Sequence, residues 1–160
     1  MWPLAKSLSG MGLPFAALLI KPEFDIWKPG EHNGTFRGNT HAFITARIAL
    51  EKFWADDRLA QATAAKSEIL QEGLTRIGDR IDDARLKGVG LMQGVDVGSG
   101  PLAAAICHRS FERGLIVETS GAHGEVVKVL APLTIPETLL RDGLDILAQA
   151  SADVLAERAA

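Results

Sequence analysis

The apolar pattern of this chain changes near Ile81, and this change restricts the possible fold more than any other sequence feature. Before it, apolar residues recur at helical spacing from Ala42 to Trp54 and again from Leu59 to Ile77. That spacing predicts two long amphipathic helices. After it, glycines and β-branched residues in short runs predict strands that alternate with helices. The chain is therefore predicted to be an α/β protein.

The second half of the chain is predicted to form a compact α/β layer. The run LKGVGLMQGVDVGSG favours one strand that ends at Gly98. Pro101 and Gly114 bracket a helix of about a dozen residues, since proline suits a helix start and glycine a helix end. Short strands are predicted over 114–117 and 126–130, and a final helix from Pro136.

The start of the chain is predicted to be irregular apart from one strand. Glycines and a proline predict a loop with strained turns over residues 1–15. The short apolar run Ala16–Lys21, between two prolines, predicts a buried strand. Residues 23–38 contain the turn signals Pro-Gly and Asn-Gly, and either Asn39 or Thr40 is expected to cap the following helix.

Composition excludes several classes of function. The net charge of −3 comes from acidic and basic residues that are interspersed, so the chain has no basic patch for nucleic acid. The single cysteine, Cys107, rules out an internal disulfide and favours a reducing compartment, here the cytoplasm. The apolar stretch 12–20 is too short for a membrane span. It is also interrupted and lacks a cleavage site, so it does not predict a signal peptide. Four scattered histidines do not predict a metal site.

Two short motifs contain the candidate chemical groups. Lys6 precedes a glycine turn, whereas the lysine of a phosphate-binding loop follows its glycines, so a phosphate loop is excluded. A lysine in such surroundings is either a nucleophile toward aldehydes or an ordinary solvated side chain. In NGTFRGN, Thr35 offers a hydroxyl beside a helix start, and the segment is either a phosphate site or merely a capped turn. His32 is interpreted as a loop-ordering residue.

The two motifs together resemble the class III aminotransferases. The order KSLSG-x-GLP, an apolar strand and then H-x-GTF-x-GN is similar to these pyridoxal-phosphate enzymes of fold type I. The resemblance implies that Lys6 is the Schiff-base lysine that holds pyridoxal 5′-phosphate. It also implies that Thr35 contacts the cofactor phosphate of a neighbouring subunit, and hence that the enzyme is a homodimer or a dimer-based oligomer.

A subgroup resemblance implies the substrates. KPGEHNGTFRGN, GLMQGVDVGSGPLAAAI and EVVKVLAPLTI are similar to the diaminobutyrate-forming transaminases of ectoine biosynthesis, an osmoprotectant pathway. The implied reaction converts glutamate and aspartate 4-semialdehyde into 2,4-diaminobutyrate and 2-oxoglutarate. Lys128 stands where other class III members commonly have a carboxylate-binding arginine, so it is a candidate substrate-binding residue. The alternatives are an ω-aminotransferase for 4-aminobutyrate or ornithine, and a non-catalytic module that pairs with a full-length subunit.

The resemblance covers only the C-terminal portion of such an enzyme. It implies a partial fold type I structure, with 1–57 as a remnant of the cofactor-binding large domain, 58–84 as an interdomain helix and 85–160 as a small α/β domain. In the family, the phosphate loop, the stacking aromatic and the aspartate on the pyridine nitrogen all precede the lysine. We therefore expect a truncated product or fragment with little transaminase activity of its own.

Overall fold

The structure, a computed structural model, describes residues 1–10, 12–35 and 37–159, with the side chain of residue 159 left aside. The chain divides into two compact units, Met1–Leu59 and Ala60–Ala160. No helix in the described ranges combines the length and the apolarity that a bilayer crossing requires.

The first unit is built from a two-stranded sheet and one long helix. Strands β1 (Trp2–Ala5) and β2 (Ala16–Leu19) pair antiparallel. Short 3-10 helices follow each strand, at Lys6–Ser9 and Pro22–Phe24, and helix α1 spans Thr40–Phe53. The predicted loop over residues 1–15 is therefore wrong in part, because the first residues find a strand partner in β2.

The prediction of a buried strand over Ala16–Lys21 is correct for the strand and wrong for its burial. Leu18 and Leu19 are about half exposed, although both belong to β2. A sheet of two strands buries little, and a strand becomes a core strand only when other elements cover it. The segment before β2 does pack on the helix, because the Phe15 and Phe43 rings meet edge to face with their centroids 5.2 Å apart.

The second unit has a four-stranded antiparallel sheet with the order β3-β4-β6-β5. Helix α2 begins at Arg58, just before the division between the units, and ends at Gly78. The remaining elements are listed in chain order: β3 (Arg85–Val89), β4 (Met92–Asp96), α3 (Gly100–Glu112), β5 (Glu118–Ser120), β6 (Val126–Leu130) and α4 (Glu137–Ala159). One continuous apolar core joins β4, β6 and the three helices.

The structure corrects two strand predictions in this unit. The single strand predicted to end at Gly98 is a hairpin, β3 and β4, because Gly90 turns the chain with a φ of 62°. The strand predicted over 114–117 is displaced to β5, where the backbone meets β6 and finds hydrogen-bond partners. The predicted strand at 126–130 and the helices after Pro101 and Pro136 are confirmed.

Helix α2 buries a stripe that differs from the predicted one at its start. Leu70, Leu74 and Ile77 are buried as predicted, whereas the predicted Ala62 and Ala65 are exposed. A buried lysine extends the stripe instead. Lys66 donates from Nζ to the carbonyl oxygens of Leu133 and Ile135, the latter at 3.3 Å. These bonds satisfy a buried ammonium group and tie α2 to the segment between β6 and α4.

Candidate functional site

Lys6 lies at a strained backbone position directly after β1. It is the first residue of the 3-10 helix, its φ is 57°, and its side chain is exposed. A non-glycine residue in this left-handed region costs on the order of 1–3 kcal/mol, and such residues are found mainly at functional sites and tight turns. The chain thus turns sharply at the predicted lysine and presents its amine outward.

Helix α1 supports the turn that carries Lys6. The N–H of Gly10 donates to the carbonyl of Ser7 at 2.9 Å and ends the 3-10 helix. A Cβ at Gly10 would lie 2.7 Å from Cβ of Ala49 and 3.2 Å from the carbonyl oxygen of Thr45. Only glycine permits this close approach, and its φ of 79° also favours glycine. The lysine turn is therefore held against α1. Met11, the next residue of the motif, lies outside the described residues.

Ser9 completes the packing of this turn. Its side chain is fully buried, and its Oγ has no hydrogen-bond partner among the described residues. A buried hydroxyl without a partner is costly, so it is found where the surrounding structure fixes the backbone. The observation indicates that packing, in addition to the backbone hydrogen bond from Gly10 to Ser7, holds the Lys6 turn in place.

Thr35 lies in an exposed turn just before α1. The N–H of Arg37 donates to the carbonyl of Gly34 at 3.0 Å and closes the turn, while Phe36 lies outside the described residues. Of the two candidate caps, Asn39 is the cap of α1, because its side-chain oxygen accepts from the N–H groups of His41 at 3.1 Å and Ala42 at 3.3 Å.

The cap changes what this segment can offer to a phosphate. Two of the first N–H groups of α1 are already bonded to the side chain of Asn39. The backbone of this segment is therefore a capped turn, and these two N–H groups are not free to bind a phosphate. The exposed hydroxyl of Thr35 also offers a hydrogen bond to a phosphate.

Side-chain contacts order the loop that carries Thr35. The His32 ring packs beside the Trp27 ring with centroids 5.4 Å apart and an interplanar angle of 37°. The Arg37 guanidinium donates to Nε2 of His32. The Arg37 stem also lies over Gly34, where a Cβ would meet its Nε at 2.9 Å. These contacts agree with the loop-ordering role predicted for His32.

Lys128 belongs to the second unit, whereas Lys6 and Thr35 belong to the first. It lies on β6 directly opposite Glu118 of β5, and its Nζ is 2.8 Å from Oε1 of that residue. The hydrogen bond and the charge of Lys128 lower the pKa of the Glu118 carboxyl. Both residues line a cavity of about 510 Å³ beside α4.

Sequence reasoning missed Glu118 as a partner of Lys128. The two are ten positions apart on strands whose register depends on the loop between them, and the predicted strand at 114–117 ended before Glu118. A signal was present in the alternation of ETS and VVK around a glycine-containing loop, which is typical of a hairpin.

Comparison with known proteins shows the family. The family model for class III aminotransferases matches residues 1–151. The chain belongs to the class III aminotransferases. Enzymes of this family depend on pyridoxal phosphate, so the predicted cofactor is confirmed.

Individual relatives agree with this assignment. A diaminobutyrate–2-oxoglutarate transaminase from Halomonas elongata is 52% identical over 147 residues, which cover 89% of this chain and 35% of that protein. The protein of the same name from Vibrio cholerae is 52% identical over 146 residues, 90% of this chain and 36% of that protein. The chain therefore spans about a third of the length of these curated relatives.

Solved structures show the same fold. The chain superposes on N-acetylornithine aminotransferase from Stenotrophomonas maltophilia with a TM-score of 0.79 and 28% identity. The match covers 97% of this chain and 40% of that structure. The predicted partial fold type I architecture is thus confirmed.

Proposed function

We propose that Lys6, Thr35 and Lys128 serve pyridoxal-phosphate-dependent transamination. In this reaction, glutamate and aspartate 4-semialdehyde yield 2,4-diaminobutyrate and 2-oxoglutarate. The observation that carries the proposal is the strained, outward-facing Lys6 on a turn that Gly10 holds against α1. The choice of substrates rests on the relatives of about half-identical sequence, which are named diaminobutyrate–2-oxoglutarate transaminases. In an organism that makes ectoine, this reaction would serve osmoprotection in the cytoplasm.

The residues present fit the cofactor in their chemistry. The exposed amine of Lys6 suits covalent attachment to an aldehyde, and the exposed hydroxyl of Thr35 suits a phosphate oxygen. Pyridoxal phosphate, when bound, supplies the electron sink for the reaction. Lys6 would hold it through Nζ and, as a free amine, would move a proton at the substrate carbon as a general acid and base.

Thr35 would act across a subunit boundary. Its hydroxyl would donate to the phosphate held by a neighbouring copy, and the contacts among Trp27, His32 and Arg37 would keep the loop in place. This role requires a homodimer or a dimer-based oligomer. Asn39 would support it indirectly, because the cap fixes the start of α1 immediately after the loop.

Lys128 would attract a carboxylate of the substrate. Its ammonium group is a point charge and cannot form the two-pronged contact of an arginine, so it would bind a carboxylate with less directional control. The cavity beside it offers space for the carbon chain of a small acid.

A second candidate is an ω-aminotransferase of the ornithine type. Structural neighbours with that chemistry in their names support it, for instance an ornithine aminotransferase from Toxoplasma gondii at 27% identity and a TM-score of 0.84. The lower identity of these neighbours favours the diaminobutyrate reaction. The two reactions can be distinguished by the amino donor that supports activity. Ornithine or 4-aminobutyrate would indicate the ω-aminotransferase, and 2,4-diaminobutyrate, used in the reverse direction, would indicate the diaminobutyrate reaction.

We also propose that the 160-residue chain by itself has low transaminase activity. Large apolar side chains of the first unit are exposed, and they include Trp2, Leu19, Ile26, Ile48 and Trp54. Such a surface is typical of an interface with further polypeptide. That polypeptide would be either the rest of the enzyme or a full-length subunit with which this chain pairs as a non-catalytic module.

The attachment of the cofactor can be tested by borohydride reduction. The chain is incubated with pyridoxal phosphate, alone and together with a polypeptide carrying the part of the Halomonas relative that it does not match. We expect a reduced adduct on Lys6 in the mixture, no adduct there in Lys6→Ala, and an unchanged Lys6 adduct in the control Lys21→Ala. Equal labelling of Lys6 and the other exposed lysines in the mixture would contradict the proposed role.

A further inference from the structure

Lys66 is the one charged residue that is buried in the described part of the chain. It lies on α2, and only 6% of it is exposed. No carboxylate among the described residues forms a salt bridge with it, so carbonyl oxygens alone compensate its charge. A buried charge is costly, and an apolar side chain of similar volume would fill the same space at lower cost. Packing alone therefore does not explain this lysine.

The carbonyl groups that Lys66 binds belong to the segment that joins β6 to α4. This segment is neither strand nor helix, and its residues Pro132 and Pro136 have no N–H to donate. The N–H of Ile135 donates to the carbonyl oxygen of Pro132 at 2.9 Å and closes a turn. The carbonyl oxygens of Leu133 and Ile135 accept from the Lys66 ammonium group. A side chain of α2 thus supplies donors to a turn that has few of its own.

Two bonds to one ammonium group fix the orientation of this turn. A single bond would leave the turn free to rotate about it, whereas acceptors two residues apart reach the same Nζ in one arrangement only. Hydrogen bonds from a charged donor are strong, and burial protects them from competition by water. Lys66 therefore specifies the direction in which the chain leaves β6 and enters α4.

The next residue of α2 makes a second contact of the same kind. Gln93 of β4 donates from Nε2 to Oγ of Ser67 at 3.0 Å and to the carbonyl oxygen of Gly90 at 2.7 Å. Met92 of β4 pairs with Leu130 of β6, so the β3–β4 turn and the end of β6 lie at the same end of the sheet. Adjacent residues of α2 thus hold both connections at this end.

The turn that Lys66 binds is also a wall of the cavity beside Lys128. Pro132 and Ile135 line this cavity of about 510 Å³, together with Leu140 of α4. Because the turn connects β6 to α4, its orientation sets how far the two elements stand apart across the cavity. The walls of a site keep a fixed geometry only when the residues behind them are themselves held in place.

We propose that Lys66 is a positioning residue for the candidate site, which fixes the turn after β6 and thereby the spacing of β6 and α4 around the cavity. It is not among the residues that line the cavity, and it acts through the backbone of Leu133 and Ile135. Its consequence for catalysis rests on the proposed function, whereas its effect on the spacing of β6 and α4 does not.

The positioning can be measured on the full 160-residue chain by residual dipolar couplings of the backbone amides. Lys66→Met removes the donors at similar side-chain volume, so the couplings of Leu133, Ile135 and the first turn of α4 should change relative to those of β4. Lys66→Arg keeps the charged donors and should retain most of the native values. Ile77→Val, a small core deletion on the same helix, should lower stability and leave these couplings unchanged.

A second measurement uses the native chain and applies even if a variant fails to fold. The ammonium protons of Lys66 should exchange with water at least about ten-fold more slowly than those of the exposed Lys21, because they are buried and bonded. Exchange as fast as that of Lys21 would show that the two bonds do not hold the turn, and this would overturn the proposal.

The effect on the reaction is read in the mixture with the remaining part of the Halomonas relative. Lys66→Met should raise KM for glutarate's amino analogue, glutamate, about three- to ten-fold and change kcat less, since a wall of the substrate cavity is displaced. Lys66→Arg should restore KM, and Ile77→Val should leave it unchanged.

Two further results would overturn the proposal. One is unchanged couplings in Lys66→Met, or equal changes in Ile77→Val. The other is changed couplings with an unchanged KM, which would make Lys66 a residue of the fold alone. A mixture without transamination would contradict the proposed function, and the couplings and the ammonium exchange would still decide whether Lys66 sets the turn. Conversely, a Lys6 adduct with native couplings in Lys66→Met would retain the proposed function and remove only the role of Lys66.

Discussion

The two units of the chain contrast in how they are held together. In the second unit, fourteen buried apolar residues from strands and helices form one continuous core. In the described part of the first unit, only Ser9, Ala42 and Ala46 are buried. Yet the first unit contains Lys6 and Thr35, the two residues to which we assign cofactor chemistry. The unit with the proposed chemistry is the one with the smaller core of its own.

The contrast has a physical reason in the helices. Helix α1 uses alanines where it meets the Lys6 turn, and its large apolar side chains, such as Ile44 and Leu50, are half exposed. Helix α2 buries leucines and an isoleucine in the core of its unit. Similar apolar spacing in the sequence therefore leads to different burial, because burial depends on what covers the helix rather than on the helix itself.

The largest effect is expected from a pair of leucine truncations. Leu74 on α2 is 0% exposed and Leu50 on α1 is 49% exposed. Leu74→Ala should lower the free energy of unfolding by about 2–5 kcal/mol through the cavity it leaves. Leu50→Ala should cost less than about 0.5 kcal/mol. Urea unfolding followed by circular dichroism measures the loss in Leu74→Ala, and hydrogen exchange of the α1 amides measures the loss in Leu50→Ala. Similar losses in the two variants would contradict the contrast between the units.

A pair of glycine substitutions tests whether α1 supports the lysine turn. Gly10 and Gly12 both have positive φ, 79° and 78°, but only a side chain at Gly10 would meet α1. Both changes to alanine carry the same left-handed penalty. Gly10→Ala should therefore destabilise the first unit by about 1–3 kcal/mol more than Gly12→Ala, because of the overlap with Ala49 and Thr45.

The difference is measured by hydrogen exchange of the α1 amides, since global unfolding would report mainly the larger core. Protection lost equally in the two variants would show that the turn does not depend on α1. Unchanged protection in both would show that the first unit tolerates a side chain at this approach, which contradicts the packing described above.

Much of the fold was predictable because local signals agreed with it. Pro101, Gly114 and the apolar spacing of α4 predicted helices that the structure confirms, since caps and stripes act within a few residues. The hairpin of β3 and β4 was missed because Gly90 can turn a chain or sit within a strand. The burial of β2 was overestimated because a short apolar run does not show which elements cover it.

The candidate site was predictable only as single residues. Lys6, Thr35 and Lys128 were found through motifs, which are local in sequence. The close approach of Gly10, in the Lys6 turn, to Ala49 depends on tertiary packing, and the pairing of Lys128 with Glu118 depends on strand register. Lys66 was overlooked because a lysine in a helix is ordinarily solvated, and its burial depends on two distant carbonyl groups.

The smallest expected effect is on the pKa of the Cys107 thiol, which reports the charge of Glu118 within the second, better-packed unit. Burial, and then the negative charge of Glu118, raise the pKa of the Cys107 thiol above its ordinary value. Burial and the nearby negative charge both disfavour the thiolate. Removal of the charge alone should therefore lower the pKa of Cys107 but leave it above its ordinary value.

In Glu118→Gln, the pH profile of thiol alkylation should therefore move to lower pH. In the control Glu112→Gln, on the same helix as Cys107, the profile should not move. A profile that stays in place or moves to higher pH would show that the carboxylate of Glu118 points away from α3.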